Sequence, residues 1–184
     1  KQLNGEGKCI VLCHGTFDLI HAGHIRHLQE AKKQGDLLFV TITADNYVTK
    51  GPDRPVFPEM LRAENLTALS CVDYVAIVPA QTAEQPISKI KPHIYAKGKE
   101  YKDAADDLTG NITKEEQLVE KFGGAIYFTD DITFSSSSLL NEHFGVFPPE
   151  TKNYLNNFKQ KHSSKEIIQM LGSLENLNVL VIGD

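Results

Sequence analysis

The sequence predicts an α/β fold, a doubly wound parallel sheet followed by a helical segment. Three observations carry that reading. Short apolar runs alternate along the chain with stretches whose apolar residues recur at helical spacing. The leading runs are continuously apolar rather than alternating, as expected of strands covered on both faces. The first run passes through a glycine turn directly into a helix pattern, the unit from which right-handed crossovers are built.

Cys9-Ile10-Val11-Leu12-Cys13 reads as a buried first strand, and Ile25-Arg26-His27-Leu28-Gln29-Glu30-Ala31 as the helix after it. Lys32-Lys33-Gln34-Gly35-Asp36 closes that helix with basic residues and a glycine. Leu37 to Thr43 is a second strand ending at Ala44-Asp45-Asn46, and Lys50-Gly51-Pro52-Asp53-Arg54-Pro55-Val56 is a loop. Pro58 opens a helix running to Leu69, with its apolar face expected at Leu61, Leu66 and Leu69. Val72–Val78 is a third strand, Pro86–Ile90 a short helix, and His93–Ala96 a fourth strand ending in Lys97-Gly98. The polar run from Lys99 to Thr113, with Asp103, Asp106 and Asp107, reads as a solvated loop. Glu115–Phe122 is a helix stopped by Gly123-Gly124, and Ala125–Thr129 is a fifth strand. Ser135 to Ser138, before Leu139-Leu140, is expected to be a helix N-terminus offering hydroxyls and N–H groups to phosphate. Two polar helices, Lys152–Phe158 and Glu166–Leu171, follow, with a serine of His162-Ser163-Ser164-Lys165 capping the second. Leu177–Ile182 has the pattern of another buried strand.

With 184 residues, 41% hydrophobic and 23% charged, the chain has the composition of a soluble globular protein. Its net charge of −5 gives no broad attraction to nucleic acid or an anionic membrane, so neither is expected as a partner and any phosphate binding is local. The N-terminal residues lack the apolar core of a signal peptide and no run is long enough to span a bilayer, which makes the cytoplasm the expected location. Cys9, Cys13 and Cys71 lie in apolar surroundings without a second pair to complete a zinc site, and are expected to be reduced core residues.

The chemistry concentrates between the first strand and its helix, in His14-Gly15-Thr16-Phe17-Asp18-Leu19-Ile20-His21-Ala22-Gly23-His24. With the helix beginning near His21, the two histidines lie three apart on one face of its first turn, where unpaired N–H groups and the dipole favour an anion. Gly15 and Gly23 allow backbone to approach a ligand closely. Asp45 ends a parallel strand, where ligands gather in such sheets; a turn or cap role is its other reading.

Gly-x-Phe-Asp-x-x-His-x-Gly-His after a first strand resembles the signature of the cytidylyltransferase-like nucleotidyltransferases, whose paired histidines face a nucleotide triphosphate. The resemblance implies a Rossmann-like fold. Lys50-Gly51, Arg54-Pro55-Val56, Arg62, Ala68-Leu69, Val72-Asp73-Tyr74-Val75, Lys97-Gly98 and the serine run are similar to the adenylyltransferase domain of bifunctional heptose kinase/adenylyltransferases, from about Cys9 to about Leu140. Glu100, Ser136-Ser137-Ser138 and a longer acidic loop depart from that pattern.

The resemblance implies transfer of a nucleoside monophosphate from ATP to a sugar phosphate, or from CTP to an alditol phosphate or phosphonate, with Mg²⁺ bridging phosphate oxygens. His21, His24 and Lys50 are the expected catalytic residues. Gly15, Thr16, Phe17, Gly23, Lys97, Gly98, Ser135, Ser136 and Ser137 are expected to join the histidines in binding nucleotide, and Asp18, Asp45 and Arg62 to bind substrate; no metal ligand is assigned. The non-enzyme alternative is a nucleotide-binding regulatory module. A homo-oligomer is expected. Residues 1–145 are read as the transferase domain, 146–176 as a helical linker, and 177–184 as the opening strand of a fused ribokinase-type kinase or a last edge strand of the same domain.

Overall fold

The computed structural model describes residues 7–51, 53–99, 111–129 and 148–174. Five strands form one parallel sheet: β1 (Ile10–Gly15), β2 (Leu37–Thr43), β3 (Tyr74–Val78), β4 (Ile94–Gly98) and β5 (Ala125–Thr129). Their order is β3-β2-β1-β4-β5. The helices between them are α1 (Ala22–Lys32), α2 (Glu59–Thr67), α3 (Glu84–Ile90) and α4 (Asn111–Lys121). Because β2 and β3 lie to one side of β1 while β4 and β5 lie to the other, the connections diverge between β1 and β4. At such a switch point a crevice opens beyond the carboxyl ends of the strands.

Side chains alternate between the two faces. Val11, Cys13, Leu38, Val40, Ile42 and Ala96 meet Leu28 and Ala31 of α1 and Leu66 of α2. On the other face Leu12 and Tyr95 meet Ala83, Ile87 of α3 and Val119 of α4. Double coverage explains the unbroken apolar run of β1, whereas edge strand β3 leaves Tyr74 and Ala76 exposed.

Two elements depart from the sequence expectation for tertiary reasons. Helix α2 turns Arg62 and Leu66 inward and leaves Leu61 47% exposed, so its buried face is centred on a charged residue. Strand β3 starts at Tyr74, not Val72, because Asp73 is taken up by β2: its carboxylate accepts from the Leu38 N–H at 2.7 Å and pairs with Lys32. All three cysteines are free thiols; Cys13 is fully buried, which pushes its pKa far up, while Cys9 and Cys71 are only partly covered.

The chain divides into two compact units, Lys1–Ser138 and Leu139–Asp184. The second contains α5 (Pro149–Lys161) and α6 (Ser164–Ser173). Ser163 caps α6 in a reciprocal arrangement: its hydroxyl accepts from the Glu166 N–H, and the Glu166 carboxylate accepts from the Ser163 N–H. No helix among the described residues is long and apolar enough to cross a membrane. The expected strand at Leu177–Ile182, the acidic run Asp103–Asp107 and the serines Ser135–Ser138 lie outside the described residues.

Candidate active site

His21 is the N-cap of α1 and His24 sits in its first turn. The His21 Nδ1 accepts from the Gly23 N–H at 3.1 Å, so the neutral ring carries its proton on Nε2. The two imidazoles stack with centroids 4.1 Å apart. The first turn of α1 holds no acidic side chain to neutralise the positive end of the helix.

Desolvation lowers the pKa of both rings; His24 comes to about 4, with the neighbouring charges of His21, His27 and Lys50 adding to the effect and the Leu19 carbonyl opposing it. Both imidazoles are therefore neutral at pH 7 and act as hydrogen-bond groups in the free protein. Among the described residues, three buried side-chain nitrogens lack a hydrogen-bond partner: His21 Nε2, His24 Nδ1 and Arg54 Nη2. Leaving such atoms unsatisfied costs about 1–3 kcal/mol each, which an anion with several acceptor oxygens would recover.

Phe17 adopts a left-handed backbone, φ 48°, that folds its ring back over Gly15. A Cβ on Gly15 would lie 3.1 Å from that ring. The expected close approach at Gly15 is thus made by Phe17, which is buried and meets His24 edge-on.

The cations fall into two kinds. Lys50 is exposed along much of its length, yet its ammonium is pulled below the ordinary lysine range by desolvation and then by Arg54 and Lys97, against Asp18. These couplings bring Lys50, Arg54, Lys97 and Asp18 into one neighbourhood, which His24 shares through Lys50. Arg54 was not among the expected site residues. Its Nε donates to Asp18 at 2.7 Å, and both side chains are more than nine-tenths buried. The other Asp18 oxygen accepts from the Phe57 N–H, so this carboxylate ties Arg54 and Phe57 to the segment before α1.

Arg62, expected as a substrate contact, is instead fully buried. Its guanidinium donates to the carbonyls of Phe57, Thr16 and Thr43 and to the Asp45 carboxylate. It ties the carboxyl ends of β1 and β2 to α2. Asp45 is likewise occupied: it accepts from Arg62 and from the Glu59 N–H, while the Glu59 carboxylate accepts from the Asp45 N–H. Its side chain nonetheless stays 37% exposed.

Lys97 and Gly98 end β4 beside the crevice. Lys97 pairs with buried Glu115 of α4 at 3.2 Å. His14, at the end of β1, is held by Thr41 at 2.9 Å, and its pKa falls to about 4 through burial and then the Lys97 charge. Ser135, Ser136 and Ser137 lie outside the described residues. No group of three or more metal-ligating side chains occurs among the described residues.

The profile of the cytidylyltransferase-like family matches residues 12–170. The chain is 39% identical over 139 residues to "Bifunctional protein HldE" of Pelobacter propionicus, covering 74% of this chain and 27% of that protein. It is 41% identical over 122 residues to the protein of the same name from Nitratiruptor sp., covering 65% and 26%. It therefore spans about a quarter of the length of these relatives. Among solved structures, a lipopolysaccharide core biosynthesis protein from Thermoplasma volcanium superposes with a TM-score of 0.55 at 25% identity, covering 70% of this chain and all of the other. A pantoate-beta-alanine ligase from Francisella tularensis, at TM-score 0.52 and 16% identity over 74% of this chain and 66% of the ligase, shares the fold. Because the family profile matches residues 12–170, most of the chain, the chain belongs to the cytidylyltransferase-like family.

Proposed function

We propose that this protein is a nucleotidyltransferase that moves the nucleoside monophosphate of ATP onto the phosphate of a sugar phosphate resembling heptose 1-phosphate. One observation carries the reading: His21 Nε2, His24 Nδ1 and Arg54 Nη2 are buried and unpartnered around the N-terminus of α1. Similarity to the HldE proteins over this domain supports the sugar phosphate as acceptor.

An oxygen of the acceptor phosphate attacks the α-phosphorus; the new P–O bond forms as the bond to the β-phosphate bridging oxygen breaks, and pyrophosphate leaves. A phosphate monoester is already ionised near pH 7, so no side chain has to take a proton from it. The task left to the protein is alignment and charge stabilisation. His21 donates from Nε2, the N–H groups at the helix start and the Lys50 ammonium face the triphosphate, and Arg54 supplies a further donor on the same side. Asp18 and Asp45 are already engaged by arginines, so the protein would leave Mg²⁺ to arrive with the nucleotide, where it would supply charge neutralisation on the phosphates.

The matched family profile also favours a second reading, a CTP-dependent enzyme acting on an alditol phosphate. Calorimetric titration with Mg·ATP and Mg·CTP, followed by pyrophosphate release with a panel of sugar and alditol phosphates, decides between them. We expect ATP to bind more tightly and a sugar 1-phosphate to drive release. Preference for CTP overturns the base assignment, and binding without release by any acceptor favours a regulatory module.

A further inference from the structure

The face of the sheet that carries α3 and α4 should be apolar throughout, yet near its carboxyl edge it is not. Thr41, Thr43, His14 and Lys97 all point to this face by strand alternation with Phe39, Leu12 and Tyr95. Beneath Lys97 lies Glu115, 3% exposed and in the first half of α4. One of its oxygens accepts from the Ala83 N–H at 2.9 Å; the other accepts from the Tyr95 hydroxyl at 2.9 Å and faces the Lys97 ammonium at 3.2 Å. A carboxylate fixed from both sides by neutral donors has one geometry, and it imposes that geometry on the lysine.

We propose that Glu115 is a positioning residue that sets Lys97 for the polyphosphate, an inference that rests on the nucleotidyltransferase reading above. Lys97 is long and flexible, and its ammonium could follow the negative charge of a bound triphosphate to many places. Glu115 restricts it to the end of β4, across the crevice from α1, while its electric influence still reaches Lys50 and His14. The carboxylate also offsets part of the lysine's charge. Ground-state attraction for nucleotide is thereby moderated, while an ammonium already aligned is available as charge builds in the transition state.

These two effects separate in kinetics. Glu115→Gln removes the ion pair that fixes the ammonium, so the KM for nucleotide stays at or below the wild-type value while kcat falls about tenfold. Lys97→Ala removes the aligned donor and lowers kcat/KM by about two orders of magnitude. If Glu115 acts through Lys97, adding Glu115→Gln to Lys97→Ala costs nothing further. Tyr95→Phe deletes one of the two neutral donors to the same carboxylate and keeps the ion pair; it lowers the melting temperature and lowers kcat by less than Glu115→Gln does.

The experiment measures pyrophosphate release and melting temperature for the four variants beside wild type, with Mg·ATP or Mg·CTP affinity by calorimetry as a second readout. A multiplicative loss in the double variant, a raised KM with unchanged kcat in Glu115→Gln, wild-type behaviour of Lys97→Ala, or a Tyr95→Phe loss of kcat equal to that of Glu115→Gln overturns the positioning role. Where no acceptor drives release, affinity decides: Glu115→Gln binding more weakly than wild type also overturns it. Wild-type protein that binds neither nucleotide refutes the functional reading itself, and the role of Glu115 falls with it.

Discussion

His24 and Arg54 share a feature that a folded chain does not keep without cause, a buried donor or acceptor facing nothing. Their other bonds set them apart. Arg54 also holds Asp18, whereas among the described residues no carboxylate pairs with His24. Truncation therefore has different consequences at the two positions. His24→Ala lowers turnover by about two to three orders of magnitude and costs less stability than Arg54→Ala, since its Nδ1 makes no bond in the free protein. Arg54→Ala lowers turnover and stability together, because Asp18 is left as an uncompensated buried charge. Pyrophosphate-release rates and melting curves on the two variants check both statements. Equal stability losses would mean that the orphaned atoms of His24 are structural after all.

At the scale of elements the decisive piece is α2, whose orientation is set by Arg62 rather than by its leucines. Four acceptors converge on that guanidinium, three of them main-chain carbonyls from three different segments. Arg62→Leu keeps the side-chain volume roughly and strips every one of those bonds, so urea unfolding should show a loss of about 3–5 kcal/mol. Leu61→Ser, on the outer face of the same helix, should change stability by less than about 0.5 kcal/mol. A reversal of that ranking would mean that α2 docks through its leucines. The helix illustrates what can be read without a fold. Strands β1 and β2 were legible because double coverage writes itself as a continuous apolar run, and the histidine pair was legible because both rings belong to one helical turn. Arg62 was not, because spacing rules place a charged residue outward, and what draws it inward is a set of carbonyls up to 46 residues away. The Asp18–Arg54 pair, 36 residues apart, was hidden for the same reason, although both residues stood in plain view in the motifs. Helix α4 begins at Asn111, four residues before the segment read as helical from Glu115, with Ile112 of its first turn buried.

For the molecule as a whole the histidines couple folding, ligand and pH. His14 and His24 titrate at about 4 in the folded state, against about 6.5 for an unhindered ring, each chiefly through burial. Between those two values the unfolded chain binds protons that the folded chain refuses, so stability rises with pH across this window and is lost as pH falls from about 6.5 to about 4. Both rings keep some contact with solvent, which reduces the contribution to about 1–2 kcal/mol each. A bound polyphosphate changes the balance at His24 and not at His14, whose two ring nitrogens face Thr41 and Thr43. Opposite charge beside His24 raises its pKa, so nucleotide binding takes up a proton where the free protein carries none. The expected results are a melting temperature that drops between pH 7 and pH 4.5, and calorimetric binding enthalpies at pH 6 that depend on the buffer's ionisation enthalpy in the sense of proton uptake. At pH 8, well above any plausible bound-state value, that dependence should vanish. In His24→Ala the uptake at pH 6 should shrink while the acid loss of stability is only partly relieved, because His14 remains. Buffer-independent enthalpies at pH 6 in the wild type would place the imidazole out of reach of the phosphates.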